Sequence, residues 1–288
     1  MVAVDFLQPS TWDDALAAKA AHPDVTPIAG GTDVMVELNF DRRRPPGLLD
    51  LTRIGELAQW EPDGPVLRVG AGVTYQRLID ELGGRLPGLA IASRTVGSPQ
   101  IRNRGTVGGN LGSASPAGDA HPPLLAADAV VELASVRGVR QVPVKDFFTG
   151  PKRSVLAPDE LIRAVLVRPA AGPEQFAKVG TRNAMVIAVC SFALALDGAA
   201  RRVGTGIGSA APTPVAAPAA EEFAAAELPW QSRGPLPDPV ARRFGELVSA
   251  AAAPIDDVRG TAAYRRHALA VLARRTLCWA WEELRTCG

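Results

Sequence analysis

The segment Ile91–Leu133, IASRTVGSPQIRNRGTVGGNLGSASPAGDAHPPLLAADAVVEL, restricts this chain more than any other stretch. It runs Gly-Gly-Asn, then Ser-Pro-Ala-Gly-Asp, then an Ala/Leu tract, an order few ordinary cores need. Glycines 105, 108, 109, 112 and 118 let the backbone approach a neighbour closely or take up positive φ. Ser113, Ala114, Ser115 and Ala117 leave room beside them. So bare a segment points to a ligand resting on main-chain N–H groups, and an anion such as phosphate suits it best.

A second segment of the same kind is Ala29-Gly30-Gly31-Thr32-Asp33, where a strand ends, two glycines free the backbone and a helix begins. Its free N–H groups face an anion, or the segment is only a tight turn with a Thr or Asp cap. Thr106-Val107-Gly108-Gly109-Asn110, with Ser115–Asp119 just beyond, also faces an anion, or only leads to a helix N-cap before Ala120–Ala127. Together the two segments are far more specific, because both can converge on one pyrophosphate. Asp119 then accepts from a ribose hydroxyl or an adenine amine, or caps the helix that follows.

The rest of the chain is read as α/β units. Thr11 caps a helix from Trp12 to Ala21, Val25–Ala29 and Leu48–Leu51 are short strands, and Thr32 or Asp33 opens a helix through Leu38. Val66–Val69 is a strand, and Thr74 caps a helix that ends at Gly83-Gly84 as a C′ glycine would end it. A helix follows from Asp119 to Ala127. Ala129–Ala134 and Gln141–Val144 form a hairpin around Arg137-Gly138, Asp146–Phe148 is a helical turn, and Glu160–Val167 is a strand. Composition shifts at Pro169–Pro173. Beyond it come strands at Gln175–Val179, Met185–Leu196 and Arg202–Ile207, the middle one central. Helices follow at 215–226, 239–251 and Thr261–Leu284. The last carries an apolar face through 264, 268, 269, 271, 272, 277 and 279, with Arg265 and Arg266 off it. The expected division is 1–171, with subdomains 1–55 and 56–171, and 172–288.

Several function classes drop out. The formal net charge of +1 gives no basic field for nucleic acid. No apolar run approaches a membrane helix, and the N-terminal residues do not read as a secretory signal, so a cytoplasmic location is expected. Cys190, Cys278 and Cys287 are one thiolate short of the four a cluster needs, and His22, His121 and His267 have no ligating spacing, so no metal site is expected. Gly70-Ala71-Gly72 has Tyr75 where a dinucleotide fingerprint has its third glycine. Gly204, Gly206 and Gly208 alternate at the wrong spacing, and neither a P-loop nor a nucleophile elbow occurs. Arg102 and Arg104 face phosphate or brace the glycine segment. Lys178 reaches into a cleft between domains or solvates a strand face. His121 is solvated or lies in a helix first turn. Trp279 and Trp281 read as helix packing.

The residues PIAGGTDVMVEL (27–38), GAGVTYQRL (70–78), VGSPQIRNRGTVGGNL (96–111), SPAGDAHPPLLAADAVVEL (115–133), FAKVGTRNAMVIAVCSFAL (176–194) and AAPTPVAA (210–217) carry a resemblance. The chain resembles the FAD-binding medium subunit of the molybdenum hydroxylases, the xanthine dehydrogenase and aerobic carbon monoxide dehydrogenase type. Two departures are Val186, where the family often has an acidic residue, and a less Gly-rich Ser209-Ala210.

The resemblance implies an α+β chain: an FAD-binding fold of two α/β subdomains (PCMH-type), then a C-terminal three-stranded antiparallel sheet with helices. It implies that Ala29, Gly30, Gly31, Thr32 and Asp33, with Thr106, Val107, Gly108, Gly109 and Asn110, hold the FAD pyrophosphate through backbone N–H groups. Ser115 and Asp119 are implied on the ribose and adenosine side, Lys178 near the flavin end, and Thr74 and Ile101 near the cofactor. No catalytic acid or base is implied on this chain. Substrate hydroxylation belongs to a molybdopterin subunit, and two [2Fe–2S] clusters on an iron–sulfur subunit relay electrons. FAD passes them to NAD⁺ or another acceptor, and the implied assembly is a dimer of heterotrimers. The second reading is a free-standing flavoprotein or nucleotide-binding scaffold without molybdenum partners.

Overall fold

The computed structural model describes residues 5–232 and 234–286; Cys287 lies outside them. Its first part holds β1 (Asp5–Leu7), α1 (Trp12–Ala21), β2 (Thr26–Ile28), α2 (Val34–Asn39) and β3 (Gly47–Asp50). The Thr11 hydroxyl accepts from the Asp14 N–H, the expected cap. Both β1 and β2 run parallel to β3, in the order β1-β3-β2. Parallel neighbours need crossover connections, and α1 and α2 supply them.

Next come β4 (Trp60–Asp63), β5 (Val66–Gly70), α3 (Tyr75–Leu82), α4 (Pro87–Arg94), α5 (Pro99–Arg104), α6 (Val107–Ser113) and α7 (His121–Ala126). They lead into β6 (Val130–Ser135), β7 (Gly138–Pro143), α8 (Val144–Phe147), β8 (Phe148–Gly150), β9 (Arg153–Ser154) and β10 (Leu161–Val167). The five-stranded antiparallel sheet has the order β4-β5-β10-β6-β7, with the expected β6–β7 hairpin turning at Gly138 (φ 125°). Leu67, Val69, Val131, Leu133 and Val165 bury its inner face beneath Leu78, Leu82, Val107 and Leu111.

The last part holds β11 (Glu174–Val179), β12 (Cys190–Asp197), β13 (Arg202–Gly208), α9 (Pro218–Glu227), α10 (Asp238–Ala251) and α11 (Ala262–Thr286). β12 is central and antiparallel to both neighbours. α11 and α10 cover the sheet with Phe244, Leu269, Leu277 and Trp281. α7 packs on the sheet's backbone: a Cβ at Gly204 or Gly206 would overlap the Ala126 or Pro122 carbonyl oxygen. That contact accounts for the alternating glycines.

Four expectations are corrected. The strand foreseen from Met185 begins at Cys190. Met185 takes φ 49°, and the chain folds back so that Gly180 lies against the Val186 side chain. Gly83 is not a left-handed C′ glycine; its φ is −57°, and the chain turns on through Leu86 N–H to the Leu82 carbonyl. The buried face of α11 includes Arg265 and leaves Tyr264 and Trp279 exposed. Arg265 is tolerated there because its guanidinium donates to the Val189 and Ser209 carbonyls and pairs with Asp257. Trp281 does pack, edge-on to Trp230. Finally, the bare segment is largely helical, and glycines 105, 108, 109, 112 and 118 are absent from the positive-φ residues.

Candidate cofactor cleft

β2 delivers the chain to Ala29, and the next residues lie against the second glycine-rich segment. A Cβ at Gly30 would overlap the Arg104 carbonyl oxygen and crowd the Gly105 nitrogen at 3.0 Å. Gly31 then takes φ 76°, a conformation that favours glycine. Neither Thr32 nor Asp33 caps α2; Asp33 makes no side-chain cap bond. Among the described residues, the backbone N–H groups of Gly30, Gly31, Thr32 and Asp33 donate to no protein acceptor. Successive free N–H groups around a left-handed glycine form a concavity suited to an anion.

Thr106–Asn110 is built differently from the expectation. Thr106 caps α6, its hydroxyl accepting from Gly109 N–H at 2.9 Å. Val107 N–H donates to Val73 O and Gly108 N–H to Ala71 O. Asn110 N–H donates to Thr106 O, so four of the five N–H groups foreseen for an anion are used inside the protein. What α6 presents is an open face: Gly109 and Gly112 are exposed, with Asn110 and Ser113 half-buried between them. Gly108 faces inward, where a Cβ would stand 2.5 Å from the Ala71 Cβ.

Asp33 stands across from that face. Burial raises its carboxyl, opposed by the nearby Lys152 ammonium and Ser113 hydroxyl, although the residue keeps an exposed surface. The 29–33 segment therefore runs along α6, from Arg104–Gly105 at Gly30 to Ser113 at Asp33.

Asp119 and Lys178 meet directly, a relation the sequence did not show. Lys178, on β11, crosses to the first part of the chain and donates to Asp119 Oδ2 at 2.7 Å, Thr95 O at 2.9 Å and Val186 O at 3.3 Å. It does not solvate a strand face: only 10% of its side chain is exposed. Burial raises the Asp119 carboxyl and Lys178 opposes that rise. Asp119 Oδ1 is buried and unpartnered. Ser115 accepts from Ala117 N–H at 3.3 Å in a local turn. Thr74 caps α3 and bridges to Thr106, and Ile101 is exposed on α5.

The other candidates are settled by their contacts. Arg102 braces the segment, donating to the Val96 and Gly97 carbonyls at 3.2 Å. His121 is fully buried in the first turn of α7, its ring centroid 4.5 Å from that of Phe148. Burial pushes its pKa down to about 4, so it is neutral at pH 7. Tyr75 and Lys152 also border the cleft and had no signal in residue spacing. Tyr75 Oη, Asn110 Oδ1, Asp119 Oδ1 and His121 Nδ1 are buried without a partner. Such atoms call for a polar group or water, which fits a cofactor rich in hydroxyls and amines. Among the described residues no His/Cys/Asp/Glu cluster suits a metal ion, and no helix is long and apolar enough to cross a membrane.

The family model described as the FAD binding domain in molybdopterin dehydrogenase matches residues 2–169, more than half of the chain. This chain belongs to that family of FAD-binding subunits. A second family model, the CO dehydrogenase flavoprotein C-terminal domain, matches residues 175–280. The xanthine dehydrogenase FAD-binding subunit of Escherichia coli O157:H7 is 32% identical over 93% of this chain and 92% of its own. The nicotinate dehydrogenase FAD-subunit of Eubacterium barkeri is 35% identical over 67% of this chain and 68% of its own. A chain of the carbon monoxide dehydrogenase from Hydrogenophaga pseudoflava superimposes with a TM-score of 0.90, at 25% identity over 98% of both chains. As a member of this family, the chain is an oxidoreductase subunit carrying an FAD-binding domain.

Proposed function

We propose that this chain is the electron-transfer flavoprotein subunit of a molybdenum-containing hydroxylase. Its partners are an iron–sulfur subunit with [2Fe–2S] clusters and a molybdopterin subunit, assembled as a dimer of heterotrimers in the cytoplasm. Bound FAD supplies the electron exchange between those clusters and NAD⁺ or another acceptor. The observation that carries this reading is the contact of Gly30 with Arg104, which lays the free N–H groups of 30–33 along the open face of α6.

The chain's own residues bind and orient. Ala29–Asp33 hold the diphosphate on main-chain N–H groups, and Thr106–Asn110 supply a wall bare enough to approach it. Thr74 fixes that wall from α3, and Ile101 contributes an apolar edge. Ser115 and Asp119 serve the ribose and adenosine side, and Lys178 the flavin end. Because Asp119 and Lys178 are paired, they act as one unit tying β11 to the cleft. The proposed boundary at 171/172 agrees with the two main apolar clusters, one ending at Val167 and the other starting at Cys190.

Purified or FAD-reconstituted protein should show flavin absorbance in the near-ultraviolet and blue. Protein that takes up no flavin would refute the cofactor reading. Co-expression with neighbouring cluster-bearing and large subunits should give a co-purifying complex; a chain that stays alone would refute the partner reading.

A further inference from the structure

We propose that Lys152 is the mobile cation of the cofactor cleft, neutralising the diphosphate held by residues 30–33. This rests on the FAD reading above and assigns a side chain to a site otherwise made of backbone.

The backbone sets Lys152 in place. It follows β8 and takes φ 56°, a left-handed conformation costly for a residue with a Cβ. Its N–H donates to the Ala114 carbonyl at 3.0 Å, and Ala114, which ends α6, is itself left-handed at φ 44°. Two strained residues thus hold each other at the C-terminal end of α6. Strain of this kind persists where the surrounding structure enforces it, often beside a ligand. The effect here is to send a lysine across to α2, where Nζ meets Glu37 Oε1 at 2.5 Å.

Charge balance gives the lysine its task. The 30–33 segment is flanked by two carboxylates, Asp33 and Glu37. A diphosphate beside them is repelled unless a cation joins it. Lys152 is the cation that acts on Asp33; Arg43 lies 4.0 Å from the other oxygen of Glu37, Oε2. The Lys152 side chain is 64% exposed, so its bond to Glu37 is a surface ion pair of small worth. Exchanging Glu37 for a phosphate oxygen therefore costs little, and the four-carbon stem allows the move.

The test titrates flavin-depleted protein with FAD and with riboflavin, which lacks phosphate, in wild type, Lys152→Met, Lys152→Arg and Glu37→Gln. Lys152→Met should weaken FAD binding on the order of tenfold and leave riboflavin affinity unchanged. Lys152→Arg should restore most of the loss, and Glu37→Gln should tighten FAD. Unchanged FAD affinity in Lys152→Met, or an equal loss for riboflavin, overturns the assignment. Wild-type protein that binds no FAD overturns the cofactor reading and this one with it.

Discussion

Gly30 lies against the carbonyl oxygen of Arg104, so closely that a Cβ at position 30 would overlap it. The two glycine-rich segments, more than seventy residues apart, are thereby joined into one wall-to-wall cleft. Gly30→Ala must push them apart, because a backbone carbonyl cannot swing away as a flexible side chain can. A cost of about 1–3 kcal/mol in urea unfolding is expected, together with loss of bound flavin. Gly84→Ala, away from both segments, is the control: its Cβ would meet nothing within 4 Å. If Gly30→Ala matched that control in both stability and flavin content, the contact would not define the cleft.

Gly109→Val separates binding from folding. Gly109 is exposed on α6 with ordinary helical geometry, and a Cβ there meets only Thr106 Oγ1, at 3.0 Å. Valine is tolerated in a helix at least as well as glycine, so stability should change by less than about 1 kcal/mol. The side chain would instead fill the space over the open face of α6. Flavin content after gel filtration should fall to near zero while the melting temperature holds. A variant that retains flavin normally would remove α6 from the site.

The sequence carried the signals that depend on local chemistry. Thr11 and Thr74 cap α1 and α3, and Gly138 turns the β6–β7 hairpin. The short helices α4 and α5 were hidden because glycine, proline and serine argue against a helix by propensity. Pro87 and Pro99 nevertheless sit at the starts of these helices, where proline is tolerated. Tertiary relations were not legible. Arg265 reads as a surface arginine until the Val189 and Ser209 carbonyls stand beside it, and no spacing links Asp119 to Lys178 across 59 residues. The free N–H groups of 30–33 were foreseen; the internal use of those at 107–110 depends on Ala71, Val73 and the helical turn that Thr106 caps, which only the fold brings together.

The Asp119–Lys178 pair should behave as a buried unit. Asp119→Asn leaves the Lys178 ammonium without its counter-charge at 10% side-chain exposure, and a loss of about 3–5 kcal/mol is expected. Replacing both, Asp119→Leu with Lys178→Met, removes the charges together and should recover much of that loss. A double-mutant cycle by urea denaturation measures the coupling. Additive effects of the two single variants would show that the pair is not coupled.

Glu174 gives the chain a pH dependence. From β11 it accepts from the Gly88 N–H at the start of α4, at 2.9 Å, and burial pushes its carboxyl up to about 7 from an ordinary 4.5. The folded chain therefore holds this proton more tightly than the unfolded chain does. The Glu174 contribution to stability is complete below pH 4.5 and is lost as pH rises through 7. Buried His121, held near 4, acts oppositely, favouring the folded state above its ordinary 6.5. The two offset each other across the acidic range in the wild type, so the comparison with a variant isolates Glu174. Glu174→Gln keeps an oxygen for Gly88 and removes the charge. It should match the wild type at pH 4 and exceed it at pH 8 by up to about 3 kcal/mol in urea unfolding. An equal stability difference at both pH values would mean that Glu174 titrates alike in the folded and unfolded chains.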